Sequence, residues 1–323
     1  MNQPVTVTNV QPEIPADMGP VPAWLEEALN EPREELWVDS QDCPIHVFRW
    51  GDRSKPSLIL LHGFLAHSRC FAFIAPFLAK DYHIVAYDFS GMGDSGVRDI
   101  YPEEVRVREL MDVGRETGIF DHQEKPTIIA HSYGGGIGLA AMEQHADLFS
   151  GLLICDLMTL RPERLKKHFE HQGPPGSNDP QRPNRVYTDY ATAKSRFVLS
   201  PRQTVSETCL MDYMAYHSLK PVDGGWSWKF DPSVFRSQIN MREKLMAQGS
   251  RIVNAPGRKA IIYGQESALF DDDSANYIRE CGGHDIPTIG IPHAHHHLML
   301  DQPIAFASVL NSVLAQWYAN SDA

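Results

Sequence analysis

Four stretches of the chain are apolar almost without a break: PSLILLHGF (56–64), HIVAYDF (83–89), PTIIAHS (126–132) and GLLICDL (151–157). A strand with one wet face alternates polar and apolar residues. A run without alternation predicts a strand covered on both faces, as in a parallel sheet. Between these runs lie segments with helical spacing: FAFIAPFLAK (71–80), EEVRVRELMDVGRETG (103–118) and GGGIGLAAMEQHA (134–146). Buried strand and helix in alternation predict parallel β-α-β units, with helices on both faces of a sheet. Upstream, EELWVDS and IHVFRWGD alternate as strands about a turn near residues 42–44, and PAWLEEALN (22–30) predicts a short helix opened by Pro22.

The rhythm stops after Leu160. It resumes at KAIIYG (259–264), DIPTIGIP (285–292) and a closing helix, IAFASVLNSVLAQWYAN (304–320). The intervening residues hold HQGPPGSNDPQRPNR, several aromatics and helical stretches with no clear buried strand. The division that follows is an arm and short helix over 1–35, an α/β core over 36–160 and 256–323, and an inserted helical segment over 161–255. A chain of 323 residues accommodates this as one elaborated domain.

Charge narrows the partners. The formal net charge is −12 and no block of lysines or arginines exceeds RLKKH (164–168), which argues against a nucleic acid or an acidic membrane surface. No apolar run approaches the roughly 18 residues of a membrane helix, and the start lacks the basic-then-apolar order of a signal peptide. Five scattered cysteines, none in a C-x-x-C pair, read as reduced thiols, and the expected location is the cytoplasm.

The chemistry concentrates in three places. AHSYG (130–134) sets a serine directly after a buried strand and before a helix, with small residues two before and two after. This fits the nucleophile elbow G-x-S-x-G, with Ala130 in the first glycine's place. The backbone N–H of Tyr133 then faces a developing oxyanion. A serine capping a glycine-rich helix start is the plainer reading. LLHGF (60–64) offers a second amide, that of Phe64, in a loop after the first long buried strand, although a simple strand-to-helix turn would look the same. IPHAHHHLMLDQP (291–303) follows the last strand, and a loop there can bring a base to Ser132. A solvated histidine cluster and a metal site are the alternatives. GMGDSG (91–96) matches the dinucleotide string G-x-G-x-x-G, but VRDIYPEE intervenes before any helix, so a nucleotide role is not expected.

Together the His62-Gly63-Phe64 loop, the DFSGMGDSG turn (88–96), the AHSYGG elbow and the late histidine before LMLDQP resemble the α/β-hydrolase superfamily, in its order and spacing across residues 56–319. The resemblance implies an α/β-hydrolase fold: a mostly parallel sheet, helices on both faces and an inserted helical lid over 161–255. It implies Ser132 as nucleophile and the amides of Phe64 and Tyr133 as the oxyanion hole. It also implies that Asp88 and Ser95 are structural. The family pattern H-x-x-x-x-[DE]-x-P sets the catalytic histidine seven residues before Pro303, at His296; His295 then fills a usual glycine position and His297 a usual apolar one. Many relatives carry the acid in a G-x-x-D string after the seventh strand. Here YGQESALFDDD has serine at 267, Glu266 one place early and Asp271 to Asp273 several late. Some haloalkane dehalogenases carry it at the sixth strand end, where GLLICDLMTLRP offers Asp156. Asp156 is the favoured acid and Glu266 the alternative.

In GGWSWKFDP (224–232), Trp226, Trp228 and Phe230 share one face if extended, to line a pocket or to pack the lid. Arg196 fits a surface position better than an anion site. Epoxide hydrolases and haloalkane dehalogenases use an elbow aspartate, because alkyl transfer needs a carboxylate nucleophile; Ser132 favours acyl transfer. The expected function is a serine hydrolase cleaving a small-molecule carboxylic ester through an acyl-enzyme, with no cofactor and no metal. Hydrolysis of a carbon–carbon bond, a lactone or an amide by the same triad is the alternative, and a catalytically inactive binding protein the alternative of another class.

Overall fold

The four unbroken apolar runs occupy the middle of one sheet. In the computed structural model, which describes residues 8–10, 14–171, 183–238 and 241–319, the strands are β1 (Thr8–Val10), β2 (Arg33–Ser40), β3 (Cys43–Trp50), β4 (Ser57–Leu61), β5 (His83–Tyr87), β6 (Thr127–His131), β7 (Gly151–Cys155), β8 (Leu219–Val222), β9 (Gly225–Trp228), β10 (Arg258–Gly264) and β11 (Thr288–Ile291). All but β8 and β9 join the sheet, in the order β1-β2-β3-β5-β4-β6-β7-β10-β11. From β5 to β11 every pairing is parallel, while β1, β2 and β3 extend the other edge antiparallel. The expected α/β-hydrolase fold is therefore present, with part of the arm adding an edge strand; residues 1–7 and 11–13 of that arm lie outside the described residues.

The buried runs are unbroken because each strand feeds two cores. Leu58, Leu60, Ile84, Ala86, Ile129 and Leu153 face one, shared with the helices 23–30 and 303–319. Their neighbours Ile59, Leu61, Val85, Tyr87, Ile128 and Leu152 face the other, beneath the helices 103–117 and 133–145. Period-two geometry sends successive side chains to opposite faces, and apolar cover on both faces removes the polar alternation.

Two local expectations shift. The segment 71–80 is helical only over Ala75–Ala79, behind a 3₁₀ turn at Ser68–Phe71, because Pro76 starts a helix readily but cannot sit inside one. The insertion is not purely helical. Beside the helices Pro162–His171, Tyr190–Lys194, Thr208–His217, Met241–Met246 and Gln248–Asn254 it carries the β8–β9 hairpin, whose turn uses the Asp223-Gly224 signal with Gly224 at φ 82°. Most of HQGPPGSNDPQRPNR falls on residues 172–182, outside the described residues.

Candidate active site

The parallel strands end at one edge of the sheet, and the chemistry-bearing residues gather there. Ser132 follows β6 directly, with φ 52° and ψ −118°. Only neighbouring bonds hold a non-glycine residue in that region. Its N–H donates to the Cys155 carbonyl at 2.9 Å, and its own carbonyl accepts the Gly135 N–H at 2.8 Å. The turn brings helix 133–145 against the end of β4. A Cβ on Gly134 would stand 2.6 Å from the Leu61 oxygen and 2.8 Å from that of His62, so the second residue after the serine must be glycine.

The Ser132 hydroxyl lies 3.0 Å from His296 Nε2, and His296 Nδ1 lies 2.8 Å from Asp156 Oδ1. Asp156 follows β7, the immediate neighbour of β6, and is fully buried. Its Oδ2 accepts the Gly264 N–H at 2.8 Å, and its Oδ1 also accepts the Ser267 hydroxyl at 2.7 Å. Ser267, at the last position of the G-x-x-D string, thus hydrogen-bonds the Asp156 carboxylate that meets His296. Glu266 does not meet His296; its side chain is half exposed and pairs with His293 and His295 at 3.3 and 3.5 Å.

The four clustered histidines have separate partners. Asp301 accepts the His295 backbone N–H at 2.6 Å and its Nδ1–H at 2.7 Å, which fixes the loop. His297 bonds Gln203 through its N–H and Nδ1, and its ring stands edge-on to His296. His131 donates from Nε2 to the His296 carbonyl at 2.9 Å. Burial, helped by the nearby His296, pushes its pKa down to about 3, so His131 stays neutral and keeps that proton. The Asp301 and Ser267 roles were not foreseen. The acidic position of the H-x-x-x-x-[DE]-x-P pattern was a signal for the first; His131 and Gln203 had none.

The oxyanion candidates are braced in the same way. His62 is fully buried, and burial pulls its pKa down to about 4. The neutral ring donates from Nδ1 to the Gly63 carbonyl at 2.7 Å and accepts the Phe89 N–H on Nε2 at 3.0 Å, clamping the loop that presents Phe64. Among the described residues neither the Phe64 nor the Tyr133 amide has an intramolecular acceptor. The DFSGMGDSG turn is a brace too. Asp88 accepts the N–H groups of Ser68 and Asp94, and the Ser95 hydroxyl donates to the Asp88 carbonyl. A Cβ on Gly93 would collide with the Asp88 carboxylate at 2.3 Å, so this glycine serves the turn and not a phosphate. His46, Asp88 and Asp94 bring ligand atoms within 4.8 Å of one another, the kind of cluster that could hold a metal. Those atoms are already committed, His46 between Asp88 and Glu35, and Asp94 to Arg69 and Lys229.

Among the described residues, two cavities open on Ser132. One, of about 340 Å³, runs under the insertion helices past Leu157, Phe169 and Gln248. The other, of about 570 Å³, is lined by Phe197, Leu199, Met214 and Phe235 and by His296. Phe64 borders both. Trp226, Trp228 and Phe230, expected either to line a pocket or to pack the lid, line neither cavity. Trp226 packs on Tyr190, Trp228 on Tyr187 and Phe197, and Phe230 on Phe235. The face of β9 that Trp226 and Trp228 share is covered by Tyr187, Tyr190 and Phe197, while Phe197 and Phe235 line the larger cavity. Arg196 is exposed and borders neither cavity.

The model of the alpha/beta hydrolase family matches residues 58–309. The chain belongs to that family. Among curated relatives, a fluoroacetate dehalogenase from Burkholderia sp is 31% identical over 134 residues, 39% of this chain and 41% of the relative. The 2-hydroxy-6-oxo-6-(2'-aminophenyl)hexa-2,4-dienoic acid hydrolase of Metapseudomonas resinovorans is 25% identical over 253 residues, covering 75% of this chain and 77% of that protein. The chain thus spans less than half of the dehalogenase and about three quarters of the dienoic acid hydrolase. Among solved structures, E-2-(acetamidomethylene)succinate hydrolase superposes with a TM-score of 0.71 at 15% identity, over 87% of this chain and 98% of the other. An esterase from Mycobacterium tuberculosis superposes with a TM-score of 0.66 at 20% identity, over 91% and 97%. At these identities the likeness is one of fold. No helix among the described residues is long and apolar enough to cross a membrane.

Proposed function

We propose that this α/β hydrolase is a serine hydrolase that cleaves a small-molecule carboxylic ester through an acyl-enzyme. The observation that carries the reading is the continuous chain from the Ser132 hydroxyl through His296 to Asp156, at 3.0 and 2.8 Å. His296 Nε2 takes the Ser132 proton as the oxygen attacks the carbonyl carbon. The amides of Phe64 and Tyr133 hold the oxyanion. Asp156 fixes the tautomer and stabilises the imidazolium, which then protonates the leaving alcohol. Water, deprotonated by the same histidine, releases the acid. The dehalogenase among the similar proteins does not suggest this chain's bond, because alkyl transfer calls for a carboxylate at the elbow and a serine stands there. The insertion over 161–255 acts as the lid, since its residues line both cavities, Phe169 and Gln248 the smaller and Phe197 and Met214 the larger.

A second reading, cleavage of a carbon–carbon bond by the same triad, is favoured by one observation: the dienoic acid hydrolase is matched over 77% of its length. Purified protein is to be labelled with a fluorophosphonate and assayed on p-nitrophenyl esters beside a dienone substrate, with folded Ser132→Ala as control. Labelling and ester turnover that both vanish in Ser132→Ala support the proposal. Turnover of the dienone alone transfers it to the second reading, and absence of labelling in folded wild-type protein identifies an inactive binder.

A further inference from the structure

The histidine run holds one ring that the triad chemistry leaves unused. His296 is the base, Asp301 holds His295, and His293 meets Glu266 at the surface. His297 stands where the family pattern has an apolar residue, and it borders the larger cavity. That cavity is the leaving group's. In acyl transfer His296 Nε2 protonates the leaving oxygen, so the leaving group lies on the side that His296 borders. His296 lines the 570 Å³ cavity and not the 340 Å³ one. Among the described residues no Asp, Glu, Lys or Arg lines the larger cavity, which suits an uncharged occupant.

The hydrogen bonds of His297 decide which of its nitrogens carries the proton. Its backbone N–H donates to Gln203 Oε1 at 2.9 Å, so that amide presents its oxygen, although its own Nε2 is then buried without a partner. Turned over, the amide would set NH₂ against N–H, donor to donor. The same oxygen lies 2.7 Å from His297 Nδ1, and an oxygen that can only accept requires a proton on Nδ1. Burial, with His296 and His131 close by, holds the His297 pKa well below its ordinary value, so the ring is neutral and Nε2 is a bare acceptor. Nε2 has no partner among the described residues, and unlike Gln203 Nε2 it is not closed off from open space. The neighbouring groups are spent. His131 gives its Nε2–H to the His296 carbonyl, and its Nδ1 sits against Gly63, 3.0 Å from where a Cβ there would stand. Ser218 Oγ donates to the Met214 carbonyl and meets His67.

We infer that His297 is a specificity residue whose Nε2 accepts a hydrogen bond from a hydroxyl on the leaving group, so that the substrates are esters of an uncharged alcohol or phenol bearing a second hydroxyl. This rests on the acyl-transfer reading and refines its substrate class. A site built to hydrogen-bond a substrate hydroxyl discriminates against the analogue lacking it, because its own buried group is then left unpaired.

The test compares kcat/KM for matched pairs that differ in the leaving group: 3-hydroxyphenyl against 3-methoxyphenyl butanoate, and glycerol 1-butanoate against pentyl butanoate. Phenyl 3-hydroxybutanoate against phenyl butanoate moves the hydroxyl to the acyl side. The wild type is expected to favour the hydroxylated leaving group by on the order of 10-fold in at least one pair and to gain nothing from the acyl hydroxyl. His297→Phe supplies the apolar residue of the family pattern and brings the ratio to about one. If His297→Phe fails to fold, Gln203→Glu reads the same contact: the carboxylate still accepts both N–H groups, but its charge favours the imidazolium, whose Nε2–H donates, so the hydroxyl preference falls. No hydroxyl preference, a preference untouched by the variants, or a gain from the acyl hydroxyl in place of the leaving-group one each overturn the inference and leave the ester reading standing. No Ser132-dependent turnover of any ester overturns both.

Discussion

Replacing Asp156 with asparagine removes one charge and almost no volume, and its effect follows from three hydrogen bonds. The carboxylate accepts from the Gly264 N–H on one oxygen and from both the Ser267 hydroxyl and His296 Nδ1–H on the other. Asparagine must choose. With its oxygen toward Gly264, its NH₂ faces His296 and favours the imidazole whose Nδ1 accepts. That tautomer carries its proton on Nε2 and cannot take the Ser132 proton across the 3.0 Å contact. With its oxygen toward His296, the NH₂ meets the Gly264 N–H donor to donor in a site closed to water. In neither orientation is the imidazolium stabilised by an opposite charge. Losing both tautomer control and charge stabilisation cuts turnover by roughly 10³- to 10⁴-fold, or about 4–5.5 kcal/mol of barrier. The assay is kcat/KM on a p-nitrophenyl ester across pH, with folding followed by circular dichroism. Glu266→Gln is the comparison, because Glu266 is half exposed and meets His293 and His295 but not His296; the expected loss is under about 3-fold, as for a surface charge. A large loss in Glu266→Gln with near-native Asp156→Asn would refute the assignment of the acid to the end of β7.

Three further outcomes are expected. Gly134→Ala forces a methyl group against the Leu61 and His62 carbonyls, so a destabilisation of about 1–3 kcal/mol in urea unfolding should accompany loss of activity; a native-like, fully active variant would show that the elbow has room. Glu109→Gln leaves the fully buried Arg106 without its carboxylate, a change that costs about 3–5 kcal/mol when a buried pair is broken; a loss below about 1 kcal/mol would mean that the hydrogen bonds Arg106 donates to the Ser90 carbonyl and hydroxyl and to the Tyr133 hydroxyl suffice. Burial pulls the His46 imidazole down, but its hydrogen bonds to Asp88 and Glu35 outweigh that and hold its pKa above the ordinary value. Its stabilisation is therefore full below about pH 6.5 and fades as pH rises through the folded pKa. His46→Gln should accordingly lose more stability at pH 6 than at pH 9, and equal losses at both would contradict a charged His46.

Legibility in the sequence followed the range of the forces involved. The strands were readable because cover on both faces removes polar alternation over consecutive residues, a local signature of a tertiary fact. Ser132 was readable because Gly134 is demanded by carbonyls 2.6 and 2.8 Å from the position of its missing Cβ. The distance from His296 to Pro303 was readable because Asp301, between them, must reach back to the His295 amide. The insertion yielded little. Alternation set Trp226 and Trp228 on one face of β9, but nothing nearby in sequence says that Tyr190, Tyr187 and Phe197 cover that face. Phe235 reaches the cavity from a 3₁₀ segment with no periodicity to announce it.

The acid illustrates why a motif can dissolve while its geometry persists. β7 and β10 are hydrogen-bonded neighbours, with Cys155 opposite Ile262, so the loops after them leave the sheet side by side. Asp156 N–H donates to the Ile262 carbonyl, and the Asp156 carboxylate accepts the Gly264 N–H, so the β7 loop is stitched to the last residues of β10. Ser267 comes from the β10 side of that seam, and its hydroxyl lies 2.7 Å from the oxygen that also meets His296. Either loop can thus present an oxygen at the same point in space. Only an anion there stabilises the imidazolium, and two carboxylates sharing one buried site would repel each other and raise one pKa. One loop carrying aspartate and the other a neutral donor satisfies both conditions. The departure from G-x-x-D at position 267 and the aspartate at 156 are, on this argument, a single exchange across a seam, which a motif confined to one loop cannot represent.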